Sequence, residues 1–375
     1  MQQEKEETTL SNTNVSVKPL FETFHSDKIQ LKNRTVMAPM TRGFSPGGIP
    51  GEDVAAYYRR RAEGDVGLII TEGVGINHPS SVSGDSIPLF HGDALDGWAK
   101  VVKEVHEAGG KIAPQLWHVG MTRKPGELPN KEAAPIGPSG LTLDGVQVSE
   151  PLTVEEIEGL VQSYAQAAAD AKRIGFDAIE LHGAHGYLID QFFYEHTNKR
   201  TDRYGGDLVG RTQFAVEVIE ACRKAVGPDF PIIFRFSQWK MNDYQAKLAA
   251  TSEELNQFLQ PLSDAGVDIF HCSTRRFWEP EFEGSEMNLA GWTKKLTGKP
   301  AISVGSVGLD GTFTSFQAAN TTSLDGLIEK LDQDEFDLIA IGRSLLQDPE
   351  WVKKVEEGRV NDLLPFDKDA LTKLY

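Results

Sequence analysis

Two histidines and a tyrosine lie close together where a predicted buried strand ends. The stretch from Ile179 to Phe193 reads I-E-L-H-G-A-H-G-Y-L-I-D-Q-F-F, begins as an apolar strand, and then presents His182, His185 and Tyr187. Imidazole N–H groups can donate hydrogen bonds to an oxygen that carries negative charge, and a phenol can give up a proton. The pattern therefore indicates a site that binds an anionic oxygen and transfers a proton.

The same residues have simpler interpretations. His182 and His185 could be hydrogen-bonded polar groups of the core, or they could be zinc ligands together with Asp190. A zinc site needs a further ligand in the correct place, and a strand end of this kind offers no obvious one. We therefore predict no metal site, and the choice between a core role and a chemical role depends on the rest of the chain.

The composition is that of a globular enzyme. The 375 residues are 39% hydrophobic and 25% charged, and the net charge is 38 − 55 = −17. An acidic surface repels phosphate backbones, so nucleic acid is not expected as a partner. Two cysteines, Cys222 and Cys272, are too few for a disulfide framework and are predicted to be reduced thiols in or near the core.

No targeting or membrane segment is expected. Residues 1–17 are polar, lack the apolar run of a signal peptide, and are predicted to form a disordered tail. No apolar run reaches the length that spans a bilayer. We therefore expect a cytoplasmic monomer or homodimer without a membrane partner.

Eight short apolar runs alternate with amphipathic stretches of helical period, which predicts eight strand–helix units. The runs cover residues 35–40, 66–73, 111–118, 178–185, 231–238, 268–274, 300–306 and 338–343. The helical stretches cover residues 53–62, 94–108, 154–174, 208–226, 251–265 and 324–332. An open doubly wound sheet would favour G-x-G-x-x-G after its first strand, and that motif is absent there.

The alternation predicts a (β/α)8 TIM barrel that occupies residues 18–375 as a single domain. An N-terminal hairpin over 20–33 should lie under the barrel, and loops over 119–151 and 277–291 should follow strands three and six. Catalytic groups of such barrels lie at the carboxyl ends of the strands, and the turns after strands seven and eight commonly bind phosphate. Gly305-Ser306 and Gly342-Arg343 occupy those turns.

Five motifs in register resemble the Old Yellow Enzyme family. They are K-N-R-T-V-M-A-P-M-T-R (32–42), Q-L-W-H (115–118), H-G-A-H-G-Y-L-I-D-Q-F (182–192), T-N-K-R-T-D-R-Y-G-G (197–206) and I-G-R (341–343). Many members of that family carry asparagine where this chain has His185, so the resemblance is to the part of the family whose active site is of the His–His type.

The resemblance implies an FMN cofactor across the carboxyl-terminal mouth of the barrel. Thr41 would bond the flavin edge near N5, Gln115 the pyrimidine portion, and Arg235 would place positive charge near N1 and O2. The complete set of cofactor-binding residues that it implies is Ala38, Pro39, Met40, Thr41, Gly73, Gln115, His182, Arg235, Val304, Gly305, Ser306, Gly342 and Arg343.

The resemblance also implies the reaction. NADH or NADPH would reduce the flavin, and the reduced flavin would then pass hydride to an activated alkene, such as an α,β-unsaturated carbonyl or a nitro compound, in a ping-pong cycle. His182 and His185 would bind the activating oxygen, Trp117 would border the substrate, and Tyr187 would protonate the α-carbon.

Rival functions remain open from the residues alone. A non-flavin, phosphate-binding barrel lyase or isomerase would need a lysine or a carboxylate base at a strand end, where the predicted ends offer no lysine and only Glu72. Dienoyl-CoA reductase, a flavin relative with an iron–sulfur cluster, is disfavoured by the two cysteines. A catalytically silent flavin-binding protein is a third possibility, and the aromatic residues of 277–291 could pack on the loop or line a pocket.

Overall fold

The structure, a computed structural model, describes residues 15–311 and 317–375. Residues 1–14, which make up most of the tail predicted over 1–17, lie outside the described residues. The described chain begins with a short helix, α1 (Lys18–Phe21), and an antiparallel hairpin of β1 (Phe24–His25) and β2 (Gln30–Leu31).

The hairpin closes one end of the barrel, as predicted. Its apolar side chains Phe24, Ile29 and Leu31 are buried among inward-facing side chains of the strands. Those partners are Val36, Ala38, Leu68, Ile70, Ala113, Ala178, Ile233, Ile269, Ile302, Val304, Leu338 and Ala340. The barrel interior is therefore a packed apolar core next to the hairpin, which leaves the opposite end for polar groups.

Eight parallel strands form a closed barrel, which confirms the predicted fold class. They are β3 (Thr35–Met37), β4 (Leu68–Gly75), β5 (Ile112–Trp117), β6 (Ile179–His185), β7 (Ile232–Lys240), β8 (Ile269–Ser273), β9 (Ala301–Val304) and β10 (Leu338–Ile341). Each pairs with the next in chain order, and β10 pairs with β3 to close the circle. The strands are buried on both faces, which explains their continuous apolar runs.

Helices cover the outside of the barrel. They are α2 (Glu52–Glu63), α3 (Ala94–Glu107), α4 (Val154–Ile174), α5 (Leu188–Phe193), α6 (Gln213–Val226), α7 (Ser252–Ala265), α8 (Leu289–Thr297), α9 (Asp325–Asp332), α10 (Arg343–Gln347) and α11 (Trp351–Glu356). A capping box begins α4, because Thr153 and Glu156 each accept the other's backbone N–H. None of the described helices combines the length and apolar character that crossing a membrane requires.

One predicted helix start is wrong, and the helix α8 was not predicted. The helix predicted over 208–226 begins at Gln213, because residues Gly210–Thr212 form a 3-10 turn before it. The helix α8 was missed altogether, since residues 277–291 were predicted as a loop. Its N-cap, Asn288, accepts the Gly291 N–H and was the available signal.

The strand β7 continues two residues past its predicted end and places Lys240 at its carboxyl end. The expectation that no strand ends in lysine is therefore wrong. The Lys240 ammonium is fully buried and lies 3.0 Å from the Asp190 carboxylate, which is also fully buried. A lysine held in this way is a structural cation, and Asp190 is occupied by it rather than available as a metal ligand.

This ion pair ties the turn after β6 to the end of β7. Asp190 belongs to α5 and accepts the Gly186 N–H at 2.7 Å, while Lys240 also donates to the Gln238 carbonyl at 3.0 Å. Burial raises the pKa of Asp190 and lowers that of Lys240, and the attraction between the two charges opposes both shifts. Removing one partner would leave the other charge buried and uncompensated.

We expect Lys240→Met to lower the free energy of unfolding by about 3–5 kcal/mol, because Asp190 would lose its counter-charge in a buried site. The double variant Lys240→Met/Asp190→Asn removes both charges and keeps an acceptor for the Gly186 N–H, so it should regain most of that loss. Urea unfolding followed by tryptophan fluorescence measures both. A single variant as stable as the wild type would show that the pair does not hold this region.

Candidate active site

A cavity of about 460 Å³ opens at the carboxyl ends of the barrel strands. All of the residues predicted to bind cofactor or substrate line it, namely Ala38, Pro39, Met40, Thr41, Gly73, Gln115, Trp117, His182, His185, Tyr187, Arg235, Val304, Gly305, Ser306, Gly342 and Arg343. Its volume lies within the range of small-molecule sites. The structure therefore brings together residues from seven of the eight strands or the turns that follow them.

His182 presents one N–H to this cavity. Its Nδ1 accepts the backbone N–H of Ala184 at 3.3 Å, so the single proton of the neutral ring lies on Nε2. Burial, and next to it the charge of Arg235, hold the pKa of His182 well below its usual range. The ring is accordingly a neutral hydrogen-bond donor at physiological pH rather than an acid.

His185 lies at the end of β6 in a backbone conformation that is unusual for a residue with a side chain, with φ of +66°. Its backbone N–H donates to the Ser237 hydroxyl at 2.9 Å, and its imidazole ring stacks on the Trp239 indole with centroids 4.3 Å apart. The Nε2 atom lies 2.7 Å from the Ser273 hydroxyl. Burial and the nearby Arg235 also hold the pKa of His185 well below its usual range.

Tyr187 completes the group. Its ring meets the rings of Trp117 and His182 edge-on, each at a centroid distance of 4.9 Å. Burial raises the pKa of Tyr187 to about 12, although the charge of Arg235 opposes the shift. The phenol therefore keeps its proton throughout the physiological range, which a proton donor requires.

Residue 73 is a glycine because the Trp117 indole packs closely against its backbone. A β-carbon at residue 73 would lie 2.5 Å from the Trp117 indole, closer than side chains tolerate. The Trp117 indole thus fills the space beside Gly73. It also stacks on the His182 ring, with 6.1 Å between the ring centroids. Trp117 is positioned by the strand β4 as well as by its own strand.

A buried hydrogen-bond chain orients Gln115. Its amide NH2 donates to the Glu180 carboxylate at 2.7 Å, and the other Glu180 oxygen lies 2.6 Å from Nδ1 of His271. Because one of the two NH2 hydrogens is engaged by Glu180, the amide carbonyl and the second N–H are left for the cavity. Sequence reasoning missed Glu180 because it stands inside an apolar strand run.

Arg235 is a buried cation that faces the cavity. Its side chain is 7% exposed and has no hydrogen-bond or ion-pair partner among residues 15–311 and 317–375, and its Nε is enclosed without one. Burial lowers the pKa of Arg235, while the charge of Glu180 opposes the shift. A guanidinium remains charged even so. The site is therefore suited to an anionic group that would supply the missing counter-charge, such as the pyrimidine edge of a reduced flavin.

The segment that carries Thr41 is held from below by Glu72. This carboxylate accepts the backbone N–H groups of Arg42 at 2.8 Å and Gly43 at 3.0 Å. Burial raises the pKa of Glu72 to about 7 against these bonds. Glu72 does not line the cavity among the described residues, so it fits a structural role better than that of the base of a lyase or isomerase.

The turns after β9 and β10 form the other end of the cavity. Gly305 has φ of +138°, and a β-carbon there would lie 2.6 Å from the backbone of Arg275. The Arg343 side chain donates to the Gly311 carbonyl and reaches the Ser306 hydroxyl at 3.4 Å. This is a compact cationic turn of the kind that binds phosphate.

Several cavity residues were not predicted to contact a ligand. They are Arg42, Trp239, Met241, Tyr244, Ser273, Thr274, Arg275, Val307, Leu309, Ala340, Leu346, Phe366 and Leu371. Trp239 lay just beyond the predicted end of its strand, and Phe366 and Leu371 are far away in sequence, so no local pattern marks them. The described residues of 277–291 do not line the cavity; Phe282 packs against Trp292 instead.

Comparison with known proteins agrees with this arrangement. Residues 19–362 match the NADH:flavin oxidoreductase / NADH oxidase family. An NADH oxidase of Thermoanaerobacter brockii is 35% identical over 354 residues, which cover 92% of this chain and 52% of that protein. The 12-oxophytodienoate reductase 2 of Arabidopsis thaliana is 31% identical over 355 residues, 90% of this chain and 88% of that protein.

Among solved structures, morphinone reductase in complex with tetrahydroNAD superposes with a TM-score of 0.78 and 28% identity, over 94% of this chain and 93% of the other. The chain spans about half the length of the T. brockii NADH oxidase, but nearly the full length of the plant reductase and of morphinone reductase. Fold, motifs and relatives agree, and the chain belongs to the FMN-binding NADH:flavin oxidoreductase / NADH oxidase family, the Old Yellow Enzyme family that its motifs resemble.

Proposed function

We propose that this protein is an FMN-dependent oxidoreductase that takes electrons from NADH or NADPH and reduces activated C=C bonds. The observation that carries the proposal is one cavity in which two neutral histidines and a protonated tyrosine lie beside a buried Arg235 that has no ion-pair partner in the described part of the chain. The names of the relatives support it, since they include an NADH oxidase and a 12-oxophytodienoate reductase. We further propose that residues 18–375 act as one FMN-binding domain.

The residues at the cavity fit FMN. Gln115 and Arg235 would hold its pyrimidine edge, Thr41 its central edge, and the Gly305-Ser306 and Gly342-Arg343 turns its phosphate. Bound there, FMN supplies the hydride acceptor and hydride donor of the two half-reactions. The Arg235 cation, with which no carboxylate forms an ion pair among the described residues, would be available to stabilise negative charge on the pyrimidine edge of the bound cofactor.

His182 and His185 bind the oxygen that activates the alkene. As the β-carbon gains hydride, negative charge builds on this oxygen, and N–H donors already in place stabilise it without reorganisation. Neutral rings serve this purpose, since their pKa values lie well below the usual range and they do not protonate the oxygen. Tyr187 then delivers its proton to the α-carbon, which completes saturation of the double bond. A carbonyl or a nitro group can accept the two hydrogen bonds.

The proposal is tested with purified holoprotein under anaerobic conditions. After reduction by NADH or NADPH, the yellow absorption of the flavin should be lost, and it should return when cyclohexenone, maleimide or a nitroalkene is added. Saturated cyclohexanone serves as the control, because it offers the same carbonyl without an alkene. A colourless protein that takes up no added FMN, or a reduced flavin that none of the alkenes reoxidises, would contradict the proposal.

Replacement of Tyr187 separates the two half-reactions. Tyr187→Phe should slow reoxidation by cyclohexenone by a factor of about 10²–10⁴, because the proton donor is lost. Binding of FMN and its reduction by NAD(P)H should stay nearly unchanged, since neither needs the phenol. Stopped-flow absorbance measures both steps, and an equal loss in the two half-reactions would assign Tyr187 another role.

The rate of alkene reduction should not fall near pH 10, where an exposed tyrosine would lose its proton. Because burial raises the pKa of Tyr187 to about 12, the phenol stays protonated well above the value of about 10 for an exposed tyrosine. We expect the rate of the alkene half-reaction to be flat from about pH 7 to about pH 10. A fall centred near pH 10 that is absent in Tyr187→Phe would show an unperturbed phenol instead.

A further inference from the structure

The hydroxyl of Ser273 contacts an imidazole of the proposed substrate clamp. Ser273 is the last residue of β8, and its Oγ lies 2.7 Å from Nε2 of His185. The side chain is 3% exposed. Among the described residues, this imidazole is the one hydrogen-bond partner that the hydroxyl has.

The orientation of the His185 ring is fixed by Trp239. The two rings stack with a centroid distance of 4.3 Å and an interplanar angle of 21°, and the Trp239 indole N–H donates to the Ser273 carbonyl at 3.1 Å. Each of the three residues thus contacts the other two. The stacking contact fixes the plane of the imidazole, and the 2.7 Å contact between Nε2 and the Ser273 hydroxyl fixes which edge of the ring faces Ser273.

The ring proton of a neutral His185 can lie on Nε2 or on Nδ1. A neutral imidazole has one N–H, and His185 stays neutral because it is buried near the cations Arg235 and Lys240. If Nε2 carried the proton, Ser273 would accept it and its own hydroxyl hydrogen would have no acceptor among the described residues. If the hydroxyl donates to Nε2, the hydrogen is satisfied and the ring proton lies on Nδ1.

With the ring proton on Nδ1, His185 can donate a hydrogen bond into the cavity. His185 lines the cavity, and its Nδ1 has no partner among the described residues and is not enclosed by protein. We propose that Ser273 is a positioning residue whose hydroxyl donates to Nε2 of His185 and so assigns the ring proton to Nδ1, which faces the substrate oxygen. The donation to substrate rests on the proposed function, whereas the position of the proton does not.

The two histidines would then use opposite nitrogens. The Ala184 backbone N–H occupies Nδ1 of His182 and leaves its proton on Nε2. A side chain, by contrast, sets the proton of His185. A substitution can therefore reverse the second histidine while the first keeps its arrangement, which makes the proposal testable.

The direct test is the protonation state of the ring nitrogens in the resting holoenzyme. Protein labelled with ¹⁵N-histidine is measured by NMR, and His185→Gln identifies the signals that belong to His185. We expect a protonated Nδ1 and an unprotonated Nε2 in the wild type and in Ser273→Thr, and a shift of the proton towards Nε2 in Ser273→Ala. A proton on Nε2 in the wild type, or no change in Ser273→Ala, would overturn the assignment.

A kinetic test addresses the donor role. Ser273→Ala should lower kcat/KM for cyclohexenone by about 10-fold, less than the 10²–10³ that outright removal of an oxyanion donor costs, since His182 remains. Ser273→Thr should restore it. Ser303→Ala, which removes a buried hydroxyl from the adjacent strand outside the cavity, should act like the wild type.

The outcomes separate the two proposals. A tautomer change in Ser273→Ala without a fall in kcat/KM would overturn the positioning role. A wild type that reduces no alkene, yet carries its proton on Nδ1, would contradict the donor role and the proposed function while the proton assignment stands.

Discussion

The chemistry of this site depends on burial of charge at one end of the barrel. Among the described residues, no carboxylate forms a hydrogen bond or an ion pair with Arg235, and a buried cation without such a partner is destabilising unless a ligand compensates its charge. The packed apolar core next to the hairpin contains no buried charge. The destabilising charge therefore lies at the end of the barrel where a bound ligand can compensate it. Burial, and next to it the charge of the same cation, lowers the pKa of both histidines, and that charge also opposes the rise that burial causes in the pKa of Tyr187. The Arg235 charge thus adds to burial in keeping the two histidines neutral.

The sequence was sufficient for the barrel because strands buried on both faces produce apolar runs, and eight runs alternating with helices leave few architectures. Strand ends were placed less well. Trp239 and Lys240 lie beyond the predicted end of β7, where polar and aromatic residues break the apolar run although the backbone stays extended. The helix α8 was missed because its first residues fall within 277–291, a stretch predicted as a loop.

The site was predictable where chemistry and strand position coincide, as at His182, His185 and Tyr187. It was not predictable where a residue acts through another. Glu180 stands inside an apolar run, and Ser273 closes a strand without any motif, so their roles appear only when Gln115 and His185 are placed beside them. Phe366 and Leu371 reach the cavity from the far end of the chain, which periodicity cannot reveal.

The contact between Gly73 and Trp117 also bears on how this pocket could change over generations. A side chain at position 73 would collide with the indole, whereas a smaller residue at position 117 would remove the obstacle. A larger residue at position 73 can therefore be accepted only after Trp117 has been replaced by a smaller residue. The order of mutations matters at this pair, and a library that varies the two positions together would reach pockets that stepwise selection through position 73 first would not.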